Sequence, residues 1–91
     1  MKAIKFFYLE RCPYCKQARR ALDELKAEDA KYDLKLEWIE ESKQPEVADK
    51  YDYYNVPCMF IEDQKVYEAK PGEDYETCKS NVQRVLDLAL A

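Results

Sequence analysis

The sequence predicts an α/β domain, a mixed four-stranded sheet with helices on both faces and elements in the order β-α-β-α-β-β-α. Three observations carry this expectation. Residues 3–9 form a run rich in Ile, Phe and Tyr, of strand length, which suits a central strand buried on both faces. From Pro13 the apolar residues recur at helical spacing instead. After Asn55 a Val-Pro dipeptide leads into two short apolar runs separated by a polar turn, the pattern of an antiparallel hairpin.

The first strand ends at Glu10-Arg11-Cys12-Pro13. Proline suits the first helical position, where its missing N–H would be unpaired anyway. That places Cys12 at the helix cap and Cys15 in the first turn. Ala18, Ala21, Leu22 and Leu25 make the inward stripe, Lys16, Gln17, Arg20, Asp23 and Glu24 lie on the other faces, and the helix fades near Asp29. Residues 34–39 alternate and predict the second strand. Its connection to the first should be a right-handed crossover that leaves the two strands parallel. Ser42 and Pro45 open a short helix running to Tyr51, with Val47, Ala48 and Tyr51 facing inward. Residues 58–61 form the third strand, 62–65 a polar turn, and 66–69 the fourth strand. Pro71-Gly72 breaks the chain. Asp74 caps a last helix, with Cys78, Val82, Val85, Leu86 and Ala89 on its apolar face.

The chain has 91 residues, which predicts one domain over residues 1–91. A net charge of -4, with basic residues dispersed, argues against a nucleic-acid partner, because phosphate backbones repel an acidic surface. The N-terminal apolar stretch is short, is broken by Lys5 and lacks a small-residue cleavage site. It reads neither as a signal peptide nor as a membrane span, so no membrane partner and a cytoplasmic location are expected. The absence of histidine removes the Ser-His-Asp and Cys-His arrangements and the commonest zinc ligand. Four cysteines without an export signal fit a reducing compartment. There, a close cysteine pair is more often catalytic or metal-binding than a structural crosslink.

The chemistry lies in Cys12-Pro13-Tyr14-Cys15. A thiolate, not a thiol, attacks a disulfide. At a helix N-terminus Cys12 faces unpaired N–H groups and the positive end of the helix dipole, and both favour the anion. Arg11 and Lys16 add positive charge nearby in sequence. The two-residue spacing lets Cys15 reach the Cys12 sulfur within one helical turn, so a mixed disulfide at Cys12 can be resolved by Cys15. Pro13 stiffens the turn and leaves no N–H in need of a partner.

Cys12-Pro13-Tyr14-Cys15 resembles the tetrapeptide of dithiol glutaredoxins, and Val56-Pro57 before a strand resembles the family's cis-proline motif. The element order is similar to the glutaredoxin type of thioredoxin-like fold over nearly the whole chain. The resemblance implies Cys12 as exposed nucleophile, Cys15 as resolving thiol and a cis Val56–Pro57 bond. It further implies Tyr14 as substrate surface, with Arg11 and Pro13 flanking it, and Val56 as the residue offering backbone hydrogen bonds to a cysteine-containing peptide. The implied activity is reduction of protein disulfides or mixed disulfides. The implied substrates are disulfide-containing proteins or small thiols, with glutathione or a reductase as electron source and no tightly bound cofactor or metal. Several positions depart from the family pattern. Leu9 stands where glutaredoxins usually have lysine, and Asn55 where they have threonine. Ala69-Lys70-Pro71-Gly72-Glu73-Asp74 stands where they have a glycine pair and an aspartate. Thioredoxins usually carry a buried aspartate where this chain has Phe6, and Trp-Cys-Gly-Pro-Cys where it has Arg11 to Cys15. These departures predict weak glutathione binding, with Glu73 repelling the ligand.

Two other functions fit the composition: a metal or iron–sulfur module combining Cys12 and Cys15 with Cys58 or Cys78, and a non-catalytic interaction domain of the same fold. Cys58 and Cys78 read as small apolar packing residues, and Cys58 is expected to be dispensable for turnover. Tyr51, Tyr53 and Tyr54 read as a partly buried cluster with hydroxyls reaching solvent, and Trp38 as core or sheet-edge packing. Glu37, Glu40 and Glu41 read as a solvated acidic face.

Overall fold

The computed structural model describes residues 2–91. Its elements are β1 (Ile4–Tyr8), α1 (Pro13–Glu28), a 3-10 turn (Ala30–Tyr32), β2 (Glu37–Glu40), α2 (Pro45–Ala48), β3 (Cys58–Ile61), β4 (Gln64–Glu68) and α3 (Tyr75–Leu90). The strands lie in the order β2-β1-β3-β4, with β1 and β2 parallel and the other pairs antiparallel. This is the expected mixed four-stranded sheet.

Side chains alternate across a strand, so β1 divides the core in two. Ile4 and Phe6 face α1 and α3, joined by Met59 and Ile61 of β3. Phe7 points the other way, to Ile39, Cys58 and Phe60, under Val47, Ala48, Tyr51 and Tyr53. Phe6 and Phe7 expose no surface. Full burial of a side chain of this size contributes ~1.5–3 kcal/mol. Trp38 lies on the edge strand β2, 42% exposed, with its ring against Phe6 and Tyr8.

Three boundaries differ from the sequence reading. β2 begins at Glu37, not residue 34. Leu34 and Leu36 pack on the core, but the chain is still leaving the 3-10 turn, and pairing with β1 starts at Lys5 opposite Glu37. Their alternation reports burial, not strand pairing. α2 stops at Ala48 rather than Tyr51, because the next hydrogen bonds tighten to three-residue steps: Lys50 N–H to Val47 O, and Tyr51 N–H to Ala48 O. The hairpin turn shrinks to Glu62-Asp63, with Glu62 in the left-handed region at φ 54, so β4 begins at Gln64 and ends at Glu68. Among the described residues, no helix is long and apolar enough to cross a membrane.

Candidate active site

The central strand β1 runs out at Tyr8 and delivers Leu9-Glu10-Arg11 to the start of α1. Cys12 N–H donates to Leu9 O at 3.2 Å, and Lys16 N–H donates to Cys12 O at 3.1 Å, the first helical bond. Cys12 is the N-cap, with Pro13 following it and no side-chain cap bond. Its backbone is extended, which turns the sulfur out of the helix and across to the loop before β3. There Cys12 Sγ donates to Val56 O at 3.7 Å, and the Val56–Pro57 peptide bond is cis. Cys15, one turn along, is fully buried, and its sulfur accepts the Leu9 N–H at 3.5 Å. All four cysteines are free thiols.

Cys12, Cys15, Val56 and Pro57 are thus brought together by the end of β1, the start of α1 and the start of β3. Pro13 and Arg11 are exposed beside them. Arg11 lines a shallow cavity of about 500 Å³ that also takes in Leu9, Cys12, Glu40, Ser42 and Lys43. Tyr14 reaches the other way, and its hydroxyl oxygen accepts the Gly72 N–H at 2.8 Å.

The two thiols of the pair sit in unlike surroundings. Cys12 is partly exposed. Burial pushes the Cys15 thiol up to about 12; the Leu9 N–H opposes this, while a hydrogen bond and charge from Cys12 and the charge of Glu41 reinforce it. Cys58 is fully buried, and burial pushes its thiol up to about 12 as well. Cys78 is buried in α3 on the opposite face of the sheet, with its sulfur 3.4 Å from the Tyr67 hydroxyl oxygen. Among the described residues, no three His, Cys, Asp or Glu side chains come together to hold a metal.

Several acids differ from expectation. The acidic face is only partly solvated. Glu40 is 7% exposed, and Ser42 donates to its carboxylate from both N–H and hydroxyl at 2.6 Å. The Ser42 hydroxyl above all, with backbone N–H groups of Ser42, Glu10 and Lys43, holds Glu40 below its ordinary pKa. Glu41 accepts from the Tyr53 hydroxyl at 2.6 Å. Glu73 is engaged from within, receiving the Tyr67 hydroxyl and Asn81 Nδ2, which lessens the repulsion expected of it toward an anionic ligand. Glu68 had no sequence signal beyond an acid at a strand end. It sits opposite Cys58 in the β3–β4 ladder and bonds to the loop carrying Val56.

The glutaredoxin family model matches residues 4–66, which contain the cysteine pair and the Val-Pro loop. No curated protein matches the chain. Among solved structures, thioredoxin 1 from Thermosipho africanus superposes with a TM-score of 0.60 at 15% identity, covering 98% of this chain and 99% of its own. A mutant thioredoxin from Halobacterium salinarum superposes with a TM-score of 0.56 at 19% identity, covering 90% of this chain and 72% of its own. At such identities the likeness speaks for the thioredoxin fold alone. With most of its length matched by the family model, this chain belongs to the glutaredoxin family of thiol–disulfide oxidoreductases.

Proposed function

We propose that this protein reduces protein disulfides by dithiol exchange, with Cys12 as nucleophile and Cys15 as resolving thiol. The observation that carries this reading is the asymmetry of the pair: a partly exposed sulfur facing Val56, and a buried one a turn behind it. The Cys12 thiolate attacks one sulfur of the substrate disulfide. A Cys12–substrate disulfide forms, the substrate S–S bond breaks, and the departing thiolate takes a proton from solvent. Cys15 then loses its proton and attacks Cys12 Sγ. That step frees the second substrate thiol and leaves a Cys12–Cys15 disulfide. Two electrons have passed from protein to substrate. Once Cys12 is in the mixed disulfide, the hydrogen bond and charge by which it raised the Cys15 pKa are gone. The resolving thiol therefore ionises more readily at the step that needs it.

Two electrons and two protons return from glutathione or a protein reductase, and the cycle requires no bound cofactor. A close cysteine pair that cycles between dithiol and disulfide suits a reducing compartment such as the cytoplasm. Arg11, Pro13 and Tyr14 border the substrate on one side, and Val56 and Pro57 on the other. An extended substrate backbone can pair beside Val56. Glutathione carries two carboxylates and needs fixed donors for them. Leu9 offers none, Pro71 has no N–H, and the Gly72 N–H is already taken by Tyr14. Protein disulfides are therefore the favoured substrate over small glutathione mixed disulfides.

The test compares rates on insulin and on a small glutathione mixed disulfide, each driven by glutathione with its reductase and by thioredoxin reductase. Faster insulin turnover is the expected result. Saturable turnover of the glutathione substrate at low concentration overturns the preference, and inactivity on both overturns the oxidoreductase reading.

A further inference from the structure

We infer that Glu68 is a positioning residue for substrate docking: its carboxylate fixes the backbone of Tyr54 and Asn55 so that Val56 stands beside the Cys12 sulfur. The inference rests on the proposed role of Val56 in receiving substrate. The segment between α2 and β3 has no regular secondary structure, so its backbone groups must find partners outside a ladder. One oxygen supplies two of them. Glu68 Oε2 accepts the Tyr54 N–H at 2.7 Å and the Asn55 N–H at 2.8 Å. Its other oxygen, Oε1, accepts from Lys65 Nζ at 2.8 Å. Hydrogen bonds to a charged acceptor are stronger than neutral ones, and two consecutive N–H groups on one oxygen fix the direction of the peptide between them.

The clamp is anchored on a rigid element. Glu68 is the last residue of β4, paired with Cys58, the first residue of β3. The next bond of the same hairpin, Ala69 N–H to Pro57 O at 3.0 Å, holds the far side of the loop. The loop is thus pinned on both sides of Val56, whose carbonyl meets Cys12 Sγ at 3.7 Å. The Glu68 side chain is 18% exposed while Tyr54 is 88% exposed, so the clamp works from beneath and leaves the outer face open to a partner. Desolvation pushes the Glu68 pKa up, but Lys65 and the two N–H groups outweigh it and keep the group charged. The hydrogen bonds of Glu68 go to Tyr54, Asn55 and Lys65 and to neither sulfur of the pair, so its effect passes through the loop.

The experiment measures KM and kcat on a disulfide-containing peptide for wild type, Glu68→Ala, Glu68→Gln and Lys65→Ala, together with iodoacetamide reactivity of Cys12 and amide exchange of Tyr54 and Asn55. Loss of the carboxylate should raise KM about tenfold, equivalent to about 1.4 kcal/mol of docking energy. kcat and Cys12 reactivity should stay near wild type, and both amides should exchange faster. Glu68→Gln keeps one oxygen at the same reach and should restore KM and slow exchange, and Lys65→Ala keeps both acceptors and should leave KM unchanged. Glu68→Thr, strand-compatible but too short to reach the loop, repeats the loss if Glu68→Ala does not fold. An active wild type with unchanged KM in the loss variants overturns the positioning role alone, and so does a fall in Cys12 reactivity matching the fall in kcat. A wild type inert on every disulfide overturns the functional reading beneath it.

Discussion

The Cys15 sulfur accepts only a backbone N–H and sees no solvent, while the Cys12 sulfur is partly exposed against the Val56 carbonyl. Access and the raised Cys15 pKa both set the order of reaction with an electrophile. Iodoacetamide should therefore label Cys12 first in the reduced protein, leaving Cys15, Cys58 and Cys78 unmodified until the fold opens; faster labelling of Cys15 would reverse the assigned roles. Cys12→Ser should abolish exchange, and Cys15→Ser should accumulate mixed disulfides visible by mass spectrometry. Cys58→Ala should cost about 1 kcal/mol, a usual figure for a point mutation, and keep turnover, because two thiols complete the cycle. The dithiol pair was legible in the sequence because its two cysteines are local, and their spacing alone places them in one helical turn. Glu40 and Glu68 were not. A buried acid in an alternating strand looks like any surface acid until its partners are known, and the amides that Glu68 holds lie 13 and 14 residues away.

The two long helices begin differently, and the difference separates stability from function. α3 starts at Asp74, whose carboxylate accepts the Thr77 N–H at 2.8 Å, with Glu76 in its first turn. α1 starts at Cys12 with no side-chain cap, so its first N–H groups stay open beside the Cys12 sulfur. Asp74→Ala should cost about 1 kcal/mol, lowering Tm by about 4–8 °C in a domain of this size, with kcat unchanged. Cys12→Asp should do the reverse, raising stability by ~0.5–1 kcal/mol as a proper cap while abolishing activity. Thermal melts of the two variants decide it, and a Cys12→Asp protein less stable than wild type would contradict the uncapped reading of α1. The long helices were legible from their apolar stripes and start signals. β2 and α2 were misjudged in extent because each is barely one repeat long. In so short a segment, alternation or a Pro-led turn cannot distinguish regular pairing from chain that merely packs.

Across the whole molecule, the titrating groups divide cleanly by direction. The carboxyls of Glu24, Glu40, Glu68 and Asp74 all lie below their ordinary values, held down by hydrogen bonds and cations. A group whose pKa is lower in the folded state adds stability that is present above its unfolded pKa and is lost as pH falls through the folded value. These four groups therefore destabilise the fold below about pH 4, where unfolded carboxyls take up protons. The alkaline side has the opposite sign. Burial pushes Cys15 and Cys58 up to about 12 from 9.0, and Tyr53 and Tyr67 upward from 10.0. Such groups stabilise the fold fully below their unfolded pKa, and the contribution is lost as pH rises through the folded value. Lys43, Lys65 and Lys79, also raised, act in the same direction at still higher pH. Between the limbs the chain has no histidine, so no side chain with an ordinary pKa titrates there. The urea midpoint should accordingly fall toward pH 3 and fall again from about pH 9. Oxidation to the Cys12–Cys15 disulfide removes one of the three buried thiols, so the alkaline fall should be shallower in the oxidised protein than in the reduced one. Urea melts of both redox forms at pH 3, 7 and 10 measure this. A reduced protein as stable at pH 10 as at pH 7, or identical alkaline slopes in the two forms, would show that burial of Cys15 and Cys58 does not govern the alkaline limb.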